Sequence, residues 1–141
     1  MKRTFFTFLT LLICFAGKAQ YNGGLQVEQL LKTDTTRLGQ GFVYPDTDND
    51  EITISRITIQ PGESTGWHKH DLPVFAYVLK GNLTVEMEDG QQMIFPENST
   101  FAEVIDTYHN GFNQGDTPVI LLAFYLGEKE KPLSVKKVTS N

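Results

Sequence analysis

Gly62-Glu63-Ser64-Thr65-Gly66-Trp67-His68-Lys69-His70 is the stretch on which the reading of this chain turns. It ends in two imidazoles at i and i+2. On a β-strand, side chains so spaced share a face, so His68 and His70 can grip one ion together. Imidazole is the commonest metal ligand near neutral pH, because its modest pKa leaves a nitrogen lone pair free. One isolated histidine is as a rule a surface or satisfied core residue. This chain has three histidines in all. The third, His109, lies further on with Asn113 four residues beyond it.

Working outward, the pattern is β. Ile52 and Ile54 alternate with polar neighbours, and Ile57 and Ile59 continue on the opposite parity, which predicts a bulge near Ser55-Arg56. Pro61-Gly62 ends that strand. Val74 to Leu79 is a continuous apolar run that suits a strand buried on both faces. After the turn at Gly81-Asn82, Leu83, Val85 and Met87 alternate with Thr84, Glu86 and Glu88, giving one core face and one wet face. Asp89-Gly90 is a hairpin signal. Strands over 92–95, 99–104 and 119–126 complete about eight, with no internal repeat and no long helix after the first segment. Many short strands separated by turn residues specify an antiparallel sandwich or jelly-roll barrel.

The residues around the histidines carry a family resemblance. Gly62, His68, His70 and Gly81 stand at the spacing G-x5-H-x-H-x3-E-x6-G, the first motif of the cupins, with Val74 at the glutamate position. Of the second motif, G-x5-P-x-G-x2-H-x3-N, only His109 and Asn113 are present. Asn98, Val104 and Asp106 stand in place of its first glycine, proline and second glycine. The stretch 98–116, with Glu103 before the histidine, is similar to short single-domain cupins that also lack the first-motif glutamate. The resemblance spans most of 51–126. It implies an all-β double-stranded β-helix and a divalent transition metal (iron, manganese, zinc, nickel or copper) on His68, His70 and His109.

Val74 cannot ligate. Either the site is a neutral three-histidine set, or another acid fills the gap. Glu103 is the candidate, because a carboxylate facing the interior within Phe101-Ala102-Glu103-Val104-Ile105 would need a cation beside it. The alternative is that Glu103 faces solvent. Glu63 lies in the turn before Trp67 and suits the role less, and Asp106 is a candidate to support His109 from behind. Aromatics in a small barrel are mostly core, yet some line its mouth. Trp67, Tyr77, Phe101 and Tyr108 are the candidate substrate-binding residues.

Three readings of function stay open: a metal-dependent oxygenase, or a small-molecule isomerase or lyase, as the resemblance allows; a non-catalytic module binding a small ligand; and a structural part with an empty site. No Ser-His-Asp order, phosphate loop or catalytic carboxylate pair stands out.

The N-terminus reads as an address. Lys2 and Arg3 precede the apolar run Phe5 to Phe15, and Gly17-Lys18-Ala19 closes it with small residues, the form of a secretory signal peptide. The run is too short for a permanent membrane span. Leu11-Leu12-Ile13-Cys14 resembles a lipoprotein site, but Ile13 stands where that processing wants a small residue. Cleavage after Ala19 takes the formal charge from −5 to −8, since Lys2, Arg3 and Lys18 leave and no acid does. It also removes Cys14, the one cysteine. The mature chain is then a disulfide-free domain, secreted or periplasmic, whose acidity disfavours nucleic acid and anionic membranes as partners.

The expected organisation is signal peptide 1–19, arm and loop 20–50, barrel 51–127, and an edge strand or tail 128–141. In the arm, Val27, Leu30 and Leu31 fit a short helix face or an edge strand. Asp46, Asp48 and Asp50 lack the glycine of a calcium loop and read as a solvated turn. Exposed edges along 51–59 and the arm predict a homodimer.

Overall fold

The computed structural model describes residues 24–138. The expected signal peptide therefore lies outside the described residues. Nine strands follow in order: β1 Asp50–Ile59, β2 His68–Lys69, β3 Val74–Lys80, β4 Leu83–Met87, β5 Gln92–Phe95, β6 Thr100–Ala102, β7 His109–Phe112, β8 Val119–Glu128 and β9 Val135–Lys136. They form two antiparallel sheets, β1-β8-β3-β6 and β5-β4-β7-β2-β9. No helix among the described residues is long and apolar enough to cross a membrane. This is the all-β jelly roll that the strand pattern specified.

Alternation decides what each strand buries. In β8, Val119, Leu121, Ala123 and Tyr125 point inward, and in β3 Val74, Ala76 and Val78 do the same. Leu83, Val85 and Met87 meet them from β4. Phe95 and Phe101 stack with ring centroids 3.7 Å apart and close the far end of this core. A second cluster of Leu72, Val74, Ala123 and Tyr125 packs against Ile57 and Leu133.

The bulge expected near Ser55-Arg56 is absent. β1 pairs with β8 in unbroken register from Asp50 opposite Glu128 to Ile59 opposite Val119. Ile57 and Ile59 face the core, and Ile52 and Ile54 lie on the outer face, 68% and 59% exposed. The phase change came from assuming that every isoleucine seeks the core; this sheet carries apolar residues on both faces. The register shift falls instead in β3, between Val78 and Lys80. The arm before β1 is neither helix nor strand over 24–34. It is held by the Thr100 hydroxyl donating to the Leu30 carbonyl (2.7 Å) and by the Gln40 amide, which donates to the Ile105 carbonyl (2.7 Å) and accepts from its N–H (3.0 Å).

The glycine positions of the second motif keep their backbone although the residues have changed. Asn98 and Asp106 take left-handed φ values of 65° and 50°, a conformation that Asn and Asp tolerate better than other side chains. Asn113 completes that motif as a structural brace. It is 2% exposed; its amide donates to the Ile59 (3.0 Å) and Thr117 (2.8 Å) carbonyls and its Oδ1 accepts from the Gly115 N–H (2.9 Å). Asn113→Ala should therefore destabilise the domain by about 3 kcal/mol, the order expected for stranding buried backbone partners. Urea denaturation checks this, and a loss below about 1 kcal/mol would contradict the brace.

Candidate metal centre

The two sheets bring four side chains to one point. β2 pairs with β7 so that His68 lies directly opposite His109. Their ring centroids are 4.5 Å apart, and the His70 ring is 4.9 Å from His68 and 5.3 Å from His109. Glu103 arrives from the other sheet. β3 and β6 pair Phe75 with Ala102, and one step further the Glu103 N–H donates to the Val74 carbonyl at 2.9 Å. The carboxylate thus stands on the neighbouring strand beside the residue that replaces the first-motif glutamate. One ligand atom from each of the four lies within 4.8 Å of the others.

The imidazoles are held in a defined tautomer. His68 Nδ1 lies 2.7 Å from the Gly66 carbonyl, His70 Nδ1 2.7 Å from the Leu133 carbonyl and His109 Nδ1 2.9 Å from the Thr107 carbonyl. A carbonyl only accepts, so each Nδ1 carries a proton and each neutral ring keeps its lone pair on Nε2. Two of those Nε2 atoms meet Glu103 Oε2, His109 at 2.9 Å and His70 at 3.2 Å. A lone pair facing a carboxylate is repulsive. A proton or a metal cation between ring nitrogen and carboxylate removes that repulsion. The donor set therefore fits a divalent metal, and Glu103 faces inward with 15% of its side chain exposed.

Electrostatics agree. Burial pushes the Glu103 carboxyl up, but hydrogen bonds from His109 and His70, and their charge, hold it well below the usual carboxylate range. Burial pushes His70 down, and the Glu103 hydrogen bond and charge outweigh it, leaving its pKa raised. His68 is lowered, chiefly by burial, against the opposing pull of the Gly66 carbonyl.

The four candidate substrate-binding residues lie elsewhere. Trp67 and Tyr108 are chain neighbours of His68 and His109 and turn to the opposite face, where the Lys137 ammonium sits 5.6 and 5.8 Å from their ring centroids. Tyr77 faces away from the barrel interior and donates from its hydroxyl to Asn98 Oδ1 at 3.0 Å. Phe101 is in the core, stacked on Phe95. Asp106, considered as a support for His109, pairs with Lys69 instead, and Thr107 takes that place. The aromatic residue that does line the histidine cavity is Tyr125, together with Thr65, Ile57 and Leu121. Its ring centroid is 5.7 Å from that of His70, and burial, with the Glu103 charge added, pushes its phenol up to about 12. Tyr125 sits in an unbroken apolar run, where sequence does not reveal which parity faces inward.

Comparison with known proteins fixes the family. The cupin-domain family model matches residues 55–125, half of the chain. The chain belongs to the cupins, and its described residues hold one cupin barrel. A Bacillus halodurans protein of known crystal structure is 25% identical, with a TM-score of 0.51 over 60% of this chain and 69% of its own. Lactobacillus farciminis oxalate decarboxylase, crystallised with formate, has a TM-score of 0.53 at 21% identity over 60% of this chain. Ruegeria pomeroyi DMSP lyase has a TM-score of 0.53 at 17% identity over 64% of this chain. The chain spans 26% of the decarboxylase and 44% of the lyase, and likeness at those identities concerns the fold alone. Among curated proteins no sequence matches the chain.

The opposed shifts give metal-free protein a defined pH profile. The lowered Glu103 pKa contributes stability that is present above its ordinary value of 4.5 and is lost as pH falls. The raised His70 pKa contributes stability that is present below 6.5 and is lost as pH rises through the folded-state value. Melting temperature of metal-free protein should therefore peak near 6.5, because the lowered His68 pKa adds stability as pH rises to that value, and decline above it. Glu103→Gln should flatten the decline. A profile in the parent that is level from about pH 5 to 8.5 would contradict the coupling.

Proposed function

We propose that this cupin holds a divalent transition metal on His68, His70, Glu103 and His109 and acts on a small molecule at the ion's remaining positions. The observation that carries the reading is the tautomer lock: three backbone carbonyls take the three Nδ1 protons, so the Nε2 atoms of His70 and His109 meet the Glu103 carboxylate and a donor atom of His68 lies within 4.8 Å of theirs. A structural zinc site takes all its positions from protein and is commonly cysteine-rich. Three imidazoles and one carboxylate instead suit iron, manganese, nickel, copper or zinc with positions to spare. An ion there would polarise a carbonyl, lower the pKa of water or hold a substrate beside dioxygen.

The protein's own residues set the limits. Glu103 supplies one negative charge against the cation, and the carbonyl bonds keep the rings from turning. Ile57, Leu121 and Tyr125 make one wall apolar. The cavity measures about 30 Å³, room for roughly one or two waters beside the donors. The substrate is therefore small, or it reaches the ion from the exposed Thr65 side next to His68. A fold shared by many activities does not name the reaction. A non-catalytic metal-binding module is the second reading, favoured by the same narrow cavity. Export belongs to the proposal and rests on the basic, apolar and small-residue order of 1–19.

Elemental analysis of protein purified from the exported fraction tests the reading. The parent should carry about one transition-metal ion per chain, and the His68→Ala/His70→Ala variant less than about a tenth of that while its β-type circular dichroism persists. Intact mass of the same sample should begin at Gln20. Full occupancy in the double variant would sink the site, and mass retained through Met1 would remove the export proposal.

A further inference from the structure

A strand of only two residues carries a metal-ligand candidate. β2 is His68–Lys69, and one flank of it rests on β7 through the single pair of His68 with His109. Its other flank is covered by the C-terminal segment. β9 pairs His68 with Lys136 and Lys69 with Val135, and the Lys137 N–H donates to the Trp67 carbonyl at 2.9 Å. The same segment supplies the Leu133 carbonyl that accepts from His70 Nδ1 at 2.7 Å. His70 is 2% exposed, so losing this acceptor would strand a buried N–H.

The segment is fastened at few points. Residues 134–138 are exposed, and 129–132 form an exposed turn leading into them. Leu133 is half-buried against Leu72, Val74, Ala123 and Tyr125. The Lys137 ammonium pairs with Glu88 and lies over the Trp67 and Tyr108 rings. The two aromatics that flank the histidines in sequence thus hold this strap from outside the barrel.

We propose that Leu133 to Lys137 is the positioning element of the metal centre: it fixes the His70 tautomer and clamps β2, and the ion exchanges when it lifts. The inference rests on the metal reading above. A strap with one half-buried anchor and one ammonium clasp opens at far lower free energy than the sheets do. While it is open, His70 loses the bond that orients its ring and β2 becomes a two-residue edge. Partners that orient a ligand in this way are worth about 10–100-fold in metal affinity.

The test compares full-length parent, Lys137→Ala, Lys137→Arg and Leu133→Ala, each loaded with Co²⁺ and then mixed with excess chelator. Metal loss should be about tenfold faster in Lys137→Ala and Leu133→Ala, and restored toward the parent rate in Lys137→Arg, which keeps the cation over the rings. The cobalt absorption spectrum should change in Leu133→Ala as His70 is freed. Metal-free melting temperature is the control that separates positioning from general stability. Off-rates in both variants within about twofold of the parent, or off-rates that merely follow the metal-free melting temperature, would overturn the strap and leave the metal reading standing. A parent that takes up no metal overturns both.

Discussion

One buried carboxylate governs the interior of this protein. Glu103 brings a negative charge into a barrel whose other inward residues are mostly aliphatic or aromatic, and it meets two imidazole Nε2 atoms within 3.2 Å. An isolated ionised carboxyl would be strongly disfavoured there. It is tolerated because the imidazoles can present cations, as protons or as a shared metal. They can do so in only one orientation, because Gly66, Leu133 and Thr107 hold the far nitrogens. The three carbonyls come from the turn before β2, the strap before β9 and the loop before β7. Folding of three separate segments is therefore coupled to one point charge.

That coupling explains the division of labour between the sheets. The four-stranded sheet brings the acid on β6's continuation and the apolar wall on β8, while the five-stranded sheet brings His68 on β2, His70 just past its end and His109 on β7. Neither sheet holds a site alone. The core of Val78, Val85, Phe95, Phe101 and Val119 clamps the sheets together beside the site, and Asn113 ties the turn after β1 to the turn before β8. That packing sets the distance between the sheets, and the site uses it.

Much of this was legible in sequence, for physical reasons that also mark where legibility stops. β4 was readable because Leu83, Val85 and Met87 alternate with polar residues, so polarity reports parity, although Thr84 among them is itself buried. β3 and β8 were readable as strands but not in parity, since both their faces are apolar; this is why Tyr125 was not singled out. The isoleucines of β1 misled for the same reason. The i, i+2 rule that joined His68 to His70 also excludes Trp67 and Tyr108 from the same face, because each adjoins a histidine and strand neighbours point apart. On that outer face both rings lie beside the ammonium of Lys137, from the distant strap. Glu103 was readable as an acid in an apolar run, but its position beside Val74 depends on the β3–β6 register. The homodimer remains an expectation: β1 does lie at a sheet edge, with Ile52 and Ile54 exposed beside it.

The central claim is that the four donors hold either protons or a metal ion, never both. Calorimetric titration of metal-free protein with Zn²⁺ near pH 6, repeated in buffers of different ionisation enthalpy, counts the protons displaced. The account predicts net proton release that shrinks as the pH is raised toward 8 and is smaller in Glu103→Gln, where His70 loses the partner that holds its extra proton beforehand. Tight binding with no proton release at pH 6, in parent and variant alike, would contradict it.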